Sequence, residues 1–410
     1  VASILVNYYF GLYIRRTPIA GQLLYIPKRK LALGLGIAFN VGLLAYFKYA
    51  NFIVENVSWL TGYPIAITDI LLPLAISFFT FQQIAYLVDC YQQGTREYSF
   101  INYCIFVSFF PQLIAGPIVH HAEMMPQFAS RRNWLVNWDN IVLGLFIFSI
   151  GLFKKVFIAD SFAIWANEGF DGTGPIDFLQ AWQASLSYTF QLYYDFSGYT
   201  DMAIGAALMF NIRLPINFNS PYKATNIADF WRRWHITLSR WLRDYVYIPL
   251  GGNRISNFRT YANLLVTFLI GGLWHGAAWT FVAWGAMHGI ALVLHRLWKN
   301  AGLKLPVFLA WFVTFMFVNV TWVFFRAESF AGAMRIIHAM VEFDLDSAQE
   351  SFHMALYDVI DKAVIPDMYQ VLNNLYFILY LLVFGSISLI SKNTNQIQDC
   401  LYTQTLSFSH

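Results

Sequence analysis

His275 has a setting that packing alone does not explain. It lies in Gly271-Gly-Leu-Trp-His-Gly276, inside a run from Ala262 to Leu294 without Asp, Glu, Lys or Arg. Burying an imidazole there costs free energy unless it is hydrogen-bonded. A neutral imidazole also takes a proton near pH 7 and so can act as a general base. The plain reading is a histidine satisfied by a neighbouring helix; the chemical one is a proton acceptor beside a polar cavity. His235 ends Asp229-Phe-Trp-Arg-Arg-Trp-His235, and alone it reads as a structural hydrogen-bonding residue. Around it stand Arg232, Arg233, Arg240 and Arg243. Guanidinium groups suit the phosphates of an anionic donor such as a coenzyme. A basic amphipathic helix lying on an anionic leaflet accounts for them equally well. Asp195 and Asp201 interrupt an apolar stretch, with Ser197, Gly198, Tyr199 and Thr200 between them. They mark either a helix break satisfied by those hydroxyls or a polar lining that faces His275. In a transporter the same pattern reads as a cation site.

The remaining reactive residue types carry less. His288 and His295 read as packing and interface residues, and the adjacent His120 and His121 as loop histidines. A haem or metal site needs facing helix histidines with supporting partners, and no spacing selects one, so no metal is expected. Cys90, Cys104 and Cys400 lack metal-like spacing. A Gly-X-Ser-X-Gly elbow is missing from the sequence, so a serine acyl-enzyme is not indicated.

The elements that must position these residues are membrane helices. The 410 residues are 58% hydrophobic and only 12% charged, against roughly 25% charged in a soluble domain. That excludes disorder, a disulfide-stapled module and a nucleic-acid-binding domain. A crossing helix needs about 20 mostly apolar residues. The runs Leu31–Phe47, Ile70–Val88, Ile101–Val119, Pro306–Phe325 and Met368–Ser391 fit, and Asn140–Phe153 fits if it continues past Lys154 and Lys155. Phe178–Ile212 predicts two short helices or one long, broken one. Residues 262–294 as one helix would be about 50 Å long, too long for a single crossing. The glycines around His275 therefore predict a hairpin or a re-entrant half-helix followed by a longer helix. Residues 226–244 show three- and four-residue apolar spacing and predict an amphipathic helix. Ser329–Met340 reads as an interfacial helix. The chain opens on Val1, and Val1 to Ile14 reads as the end of a hydrophobic helix, so a natural start further upstream is expected.

Charge sets orientation, because cytoplasmic loops carry the excess of Lys and Arg. Arg15 to Lys30 holds five basic residues and no acid, and residues 213–259 carry a net charge of +6. Both are placed in the cytoplasm. Residues 326–367, at net −5, are placed outside.

Longer blocks carry a family likeness. Lys48-Tyr-Ala-Asn51, Leu113-Ile-Ala-Gly-Pro117, Phe153-Lys-Lys-Val-Phe-Ile-Ala-Asp160, Asp195-Phe-Ser-Gly-Tyr199, Asp229 to His235, Trp241 to Tyr245, Pro249 to Arg254 and Gly271 to Gly276 together resemble the membrane-bound O-acyltransferase superfamily. Within it they resemble the bacterial branch that acetylates alginate and other exported polysaccharides. The resemblance is strong over about residues 1–300 and weak beyond. It implies an all-α, polytopic fold: a ring of tilted transmembrane helices around a funnel, with re-entrant cytoplasmic segments. It implies one domain over 1–410: N-terminal helices to 212, a catalytic core over 213–300, and C-terminal helices with the acidic stretch beyond 300. It makes His275 the catalytic histidine and His235 the second signature residue, with Asp195, Asn253 and Trp274 expected to line the funnel. The donor is then acetyl-coenzyme A or another acyl thioester, used as substrate, with no bound cofactor. The acceptor is a polysaccharide reached directly or through an extracytoplasmic acetyltransferase partner, and the location is the bacterial cytoplasmic membrane, among its lipids. Two other classes stand beside this one: a transporter or channel, and a non-catalytic scaffold of a polysaccharide-modifying complex.

Overall fold

Long apolar runs joined by short polar links give helices, and every regular element among the described residues is one. The structure is a computed structural model; it describes residues 2–16, 26–65, 70–92, 99–113, 116–342 and 365–398. Most of the acidic 326–367 stretch lies outside the described residues.

In chain order the helices begin with α1 (Ala2–Arg16), α2 (Ile26–Leu44), α3 (Ala50–Thr61), α4 (Ile76–Gln92), α5 (Phe100–Ser108), α6 (Phe110–Leu113) and α7 (His121–Ala129). There follow α8 (Trp138–Leu152), α9 (Asp160–Asp171), α10 (Phe178–Met209), α11 (Ile227–Arg233), α12 (Ile236–Leu242) and α13 (Asn257–His275). The chain continues with α14 (Trp279–Asn300), α15 (Val307–Arg326), α16 (Phe330–Val341), α17 (Ile365–Tyr380) and α18 (Ser386–Ile390). Wide π turns at Ala45–Tyr49, Phe153–Ala159 and Leu381–Gly385 join α2 to α3, α8 to α9 and α17 to α18 without a break. Among the described residues, four helices are long and apolar enough to cross a membrane: Lys28–Thr61, Trp138–Asp171, Val307–Arg326 and Asn373–Ile390. On the second of these, Val142, Leu145, Phe146, Phe153, Val156 and Phe157 are exposed. Their three- and four-residue spacing makes a face for lipid rather than water.

Two compact units form from interleaved segments. The first comprises Val1–Gly151, Tyr199–Asn217 and His235–Ala278; the second comprises Leu152–Gly198, Phe218–Trp234 and Trp279–His410. In the first, α1, α2 and α4 bury an amide cluster. Asn7 Nδ2 donates to Gln83 Oε1 at 2.6 Å, and Asn40 Nδ2 donates to Asn7 Oδ1 at 2.6 Å. α8 and α10 cross at glycines: a Cβ on Gly205 would lie 2.5 Å from the Gly144 carbonyl oxygen. In the second unit, Asn319 of α15 bonds Ser185 and Thr189 of α10 at 2.8 and 2.7 Å.

Three expectations change. Phe178–Ile212 is neither two helices nor a broken one, since α10 runs 32 residues through both carboxylates. Asp195 needs no break because Lys155 neutralises it at 2.8 Å. Ile101–Val119 is not one continuous helix: Pro111 has no N–H for the carbonyl four residues back and crowds it, so Phe109 turns extended and the four-residue α6 is split off. The amphipathic helix over 226–244 is two short helices, α11 and α12, separated by an extended Trp234 and a left-handed His235 at φ 42°. A non-glycine residue in that conformation costs about 1–3 kcal/mol and persists where its surroundings impose it.

Candidate functional site

α13 delivers His275. Ser256 caps its start, accepting the Arg259 N–H at 3.2 Å. The helix ends at His275 because Gly276 turns extended, and α14 begins three residues later. The charge-free run is thus divided beside its glycines, as its length requires. The last carbonyls of a helix lack intrahelical donors. Here Lys48 and Tyr49, on the π turn after α2, supply them. Tyr49 Oη donates to Leu273 O at 2.5 Å. Lys48 Nζ donates to Trp274 O, to His275 O at 3.3 Å and to Ser77 Oγ at 3.3 Å. These three acceptors use all three ammonium donors, so Lys48 serves as a cap with a cation at the negative end of the helix.

Trp274 is held by stacking. Its ring lies 5.2 Å from Phe81, which stacks on Trp241 at 3.6 Å, and it meets Phe78 edge-on at 5.5 Å. Phe81, Ile84, Ile118, Leu238, Trp241 and Leu242 complete this core. His275, next in sequence, is half-buried.

His235 comes from the kink between α11 and α12 and is 1% exposed. Its ring centroid is 6.4 Å from that of His275 and 6.1 Å from Trp274. Its Nδ1 lies 3.1 Å from Asn217 Oδ1. Asn217 O also accepts the Ile236 N–H at 3.0 Å, so this one residue fixes the kink from both backbone and side chain. Both histidines belong to the first unit.

The other expected residues are placed as follows. Asn253 is exposed in the turn after Pro249, where Gly251 and Gly252 take φ of 107° and 55°. Asp195 sits in the second unit, its carboxylate paired with Lys155, which also holds Asp160 at 2.6 Å. Arg232 and Arg233 lie in the second unit; Arg240 and Arg243 lie in the first. Arg233 pairs with Asp229 at 2.8 Å, and Arg243 with Asp244 at 2.7 Å. Arg240 makes a two-pronged pair with Glu123 at 2.7 and 3.0 Å. Arg232 Nε donates to Ala228 O. His288 is a packing residue, as its sequence setting implies: Trp231 Nε1 and Thr321 Oγ1 hold its two ring nitrogens at 3.2 and 3.1 Å. Asn217 and the capping role of Lys48 and Tyr49 were not legible in the sequence. Their partners lie 18 to 227 positions away.

The two neighbouring histidines thus stand in an apolar helical frame. The chain belongs to the membrane-bound O-acyltransferase family, whose model matches residues 91–334. It is similar to the peptidoglycan O-acetyltransferase of Helicobacter pylori, with 53% identity over 83% of this chain and 69% of that protein. It is also similar to the probable alginate O-acetylase of Pseudomonas aeruginosa, with 45% identity over 82% of this chain and 64% of that protein. The teichoic acid D-alanyltransferase of Streptococcus thermophilus is more distant, at 28% identity over 56% of this chain and 61% of that protein. The chain is therefore a multi-pass membrane O-acyltransferase.

Proposed function

We propose that this enzyme takes an acetyl group from a cytoplasmic thioester, acetyl-coenzyme A, and passes it across the bacterial cytoplasmic membrane for O-acetylation of an exported or cell-surface polysaccharide. The observation that carries this reading is the 6.4 Å approach of His235 and His275 in a chain of this family. A peptidoglycan O-acetyltransferase at 53% identity and an alginate O-acetylase at 45% favour acetyl as the acyl group and a glycan hydroxyl as the final acceptor.

The chemistry follows from what thioester-to-hydroxyl transfer needs. One imidazole takes the hydroxyl proton as oxygen attacks the thioester carbonyl. Hydrogen-bond donors stabilise the oxyanion. Its collapse forms the ester and expels the thiolate, which recovers the proton from the imidazolium. Water must be kept away, or the thioester is hydrolysed. In this reading His275 is the base and His235 its neighbour. Asp195, Asn253 and Trp274 line the path, and Arg232, Arg233, Arg240 and Arg243 attract the donor phosphates. The net +6 segment 213–259 faces the cytoplasm. The net −5 segment 326–367 faces outward, where a partner acetyltransferase completes delivery.

The test is thioester turnover by purified protein in lipid nanodiscs, with His275→Ala as control and parallel ion-flux measurements in vesicles. Turnover that disappears in the variant supports the transferase. Ion flux without turnover would replace it with a transporter, and neither activity would leave a scaffold.

A further inference from the structure

We propose that Asn217 is the positioning residue for His235: it holds the imidazole in the Nδ1–H form, so that the basic lone pair is at Nε2. This rests on the reading of His235 and His275 as the reacting pair.

The orientation of the Asn217 amide follows from its neighbours. The Thr237 backbone N–H lies 3.2 Å from the side-chain atom of Asn217 that faces it. A backbone N–H only donates, so that atom is the oxygen, Oδ1. Thr237 Oγ1 accepts the Ile118 N–H at 3.0 Å and turns its own proton to the same Oδ1 at 3.0 Å. The His235 Nδ1 at 3.1 Å faces an atom with no hydrogen to give, so Nδ1 carries the proton. A neutral ring with a proton on Nδ1 has its lone pair on Nε2.

Two features show that this arrangement is not built for stability alone. Asn217 is 1% exposed, yet its Nδ2 has no hydrogen-bond partner among the described residues. Turning the amide over would set Nδ2 against the Thr237 backbone N–H, which can only donate, so the orientation is dictated by what Oδ1 receives. His235, at the other end of the bond, takes a left-handed backbone. An unsatisfied amide and a strained backbone on the two partners of one buried hydrogen bond are features that gather at functional sites. Ile118 and Thr237 extend the support: the segment after Gly116 is fastened to α12 by the same group of bonds. The titratable group facing His235 is His275, whose backbone carbonyl holds Lys48.

The experiment uses the full chain in nanodiscs with acetyl-coenzyme A as donor, following release of free thiol against pH. Asn217→Leu removes the acceptor; kcat is expected to fall about 100-fold, because the Nε2 lone pair of His235 is no longer aimed at the group it shares with the base, His275, with donor KM changing less than about threefold. Asn217→Asp keeps an acceptor at Oδ1 and adds a charge that favours the imidazolium. It is expected to recover at least about tenfold over the leucine variant and to move the acid limb of kcat to higher pH, because protonating His235 removes the Nε2 lone pair that the reaction needs beside His275. His235→Ala separates the two readings. If it turns over normally, the role of His235 itself fails. If it is inactive while Asn217→Leu has ordinary kcat, only the positioning role fails. Should Asn217→Leu not fold, the aspartate variant decides, and an acid limb that stays in place overturns the proposal.

Discussion

Lys48 Nζ donates to the backbone carbonyl of His275 at 3.3 Å, joining the turn after α2 to the end of α13 across 227 positions of sequence. The same ammonium reaches Trp274 O and lies 5.8 Å from the Trp274 ring. The helix end that presents His275 is therefore set by a residue far from the histidine blocks.

Replacing that cap tests its reach. Lys48→Met leaves the Trp274 and His275 carbonyls without their donor, at about 1–3 kcal/mol for each polar group stranded in a dry setting. Thioester turnover is expected to drop about 10- to 100-fold as His275 loses its fixed position. Lys48→Arg, which still donates, should retain more activity than Lys48→Met. Equal, wild-type turnover in both would show that α13 holds its end without the cap.

The helices themselves were largely legible. Pro306–Phe325 and Met368–Ser391 differ from the observed boundaries by one to three residues. The run after Asn140 does pass Lys154 and Lys155, because a π turn keeps the helix continuous there. The division of 262–294 was legible from its length together with Gly271, Gly272 and Gly276. The kink at His235 was not legible, since two short amphipathic helices show the same apolar period as one long helix. What separates them is Asn217, 18 positions upstream. The arginines were readable as a basic cluster, with Asp229 and Asp244 within four residues of Arg233 and Arg243, but the carboxylate that meets Arg240 was not. Glu123 lies 117 positions from Arg240, and no local pattern announces the pair.

The crossing of α8 and α10 gives a stability prediction. Added carbon at Gly205 or Gly144 meets backbone oxygen at 2.5 and 2.7 Å, and backbone cannot yield as a flexible side chain does. Gly205→Val should destabilise the protein by at least about 1–3 kcal/mol, the usual cost of overpacking. Thermal unfolding in detergent, read as loss of the monodisperse peak, checks it. A melting curve matching the parent would mean the helices separate there at little cost.

His121 gives a pH dependence. It lies at the start of α7, buried against Tyr86 and Phe106 with ring centroids 5.2 Å away. Burial pushes its pKa down from 6.5 to about 4. The folded state thus keeps the ring neutral where the unfolded chain binds a proton. Stability falls as pH drops from about 6.5 towards 4, and this contribution flattens below that. His121→Phe, which suits the aromatic surroundings, should reduce the loss of melting temperature between pH 7 and pH 4.5. An unchanged loss would assign the acid sensitivity to other groups.

Arg240 offers the sharpest test of how the donor is bound. Its guanidinium is gripped by both Glu123 oxygens, at 2.7 and 3.0 Å. A phosphate that binds Arg240 must therefore compete with that carboxylate for the same fork of N–H groups. If Arg240 receives the donor, Glu123→Gln weakens the competitor and should lower the apparent KM for acetyl-coenzyme A by about two- to fivefold. Arg240→Gln should raise it by a similar or larger factor, with kcat little changed, because the contact is made in ground state and transition state alike. Replacing Arg232, Arg233, Arg240 and Arg243 together should raise donor KM more than it lowers the yield of folded protein. Initial rates across a donor titration separate the cases. If the two single variants move KM in the same direction, the pair acts as a structural link between α7 and α12, and the phosphates are held elsewhere.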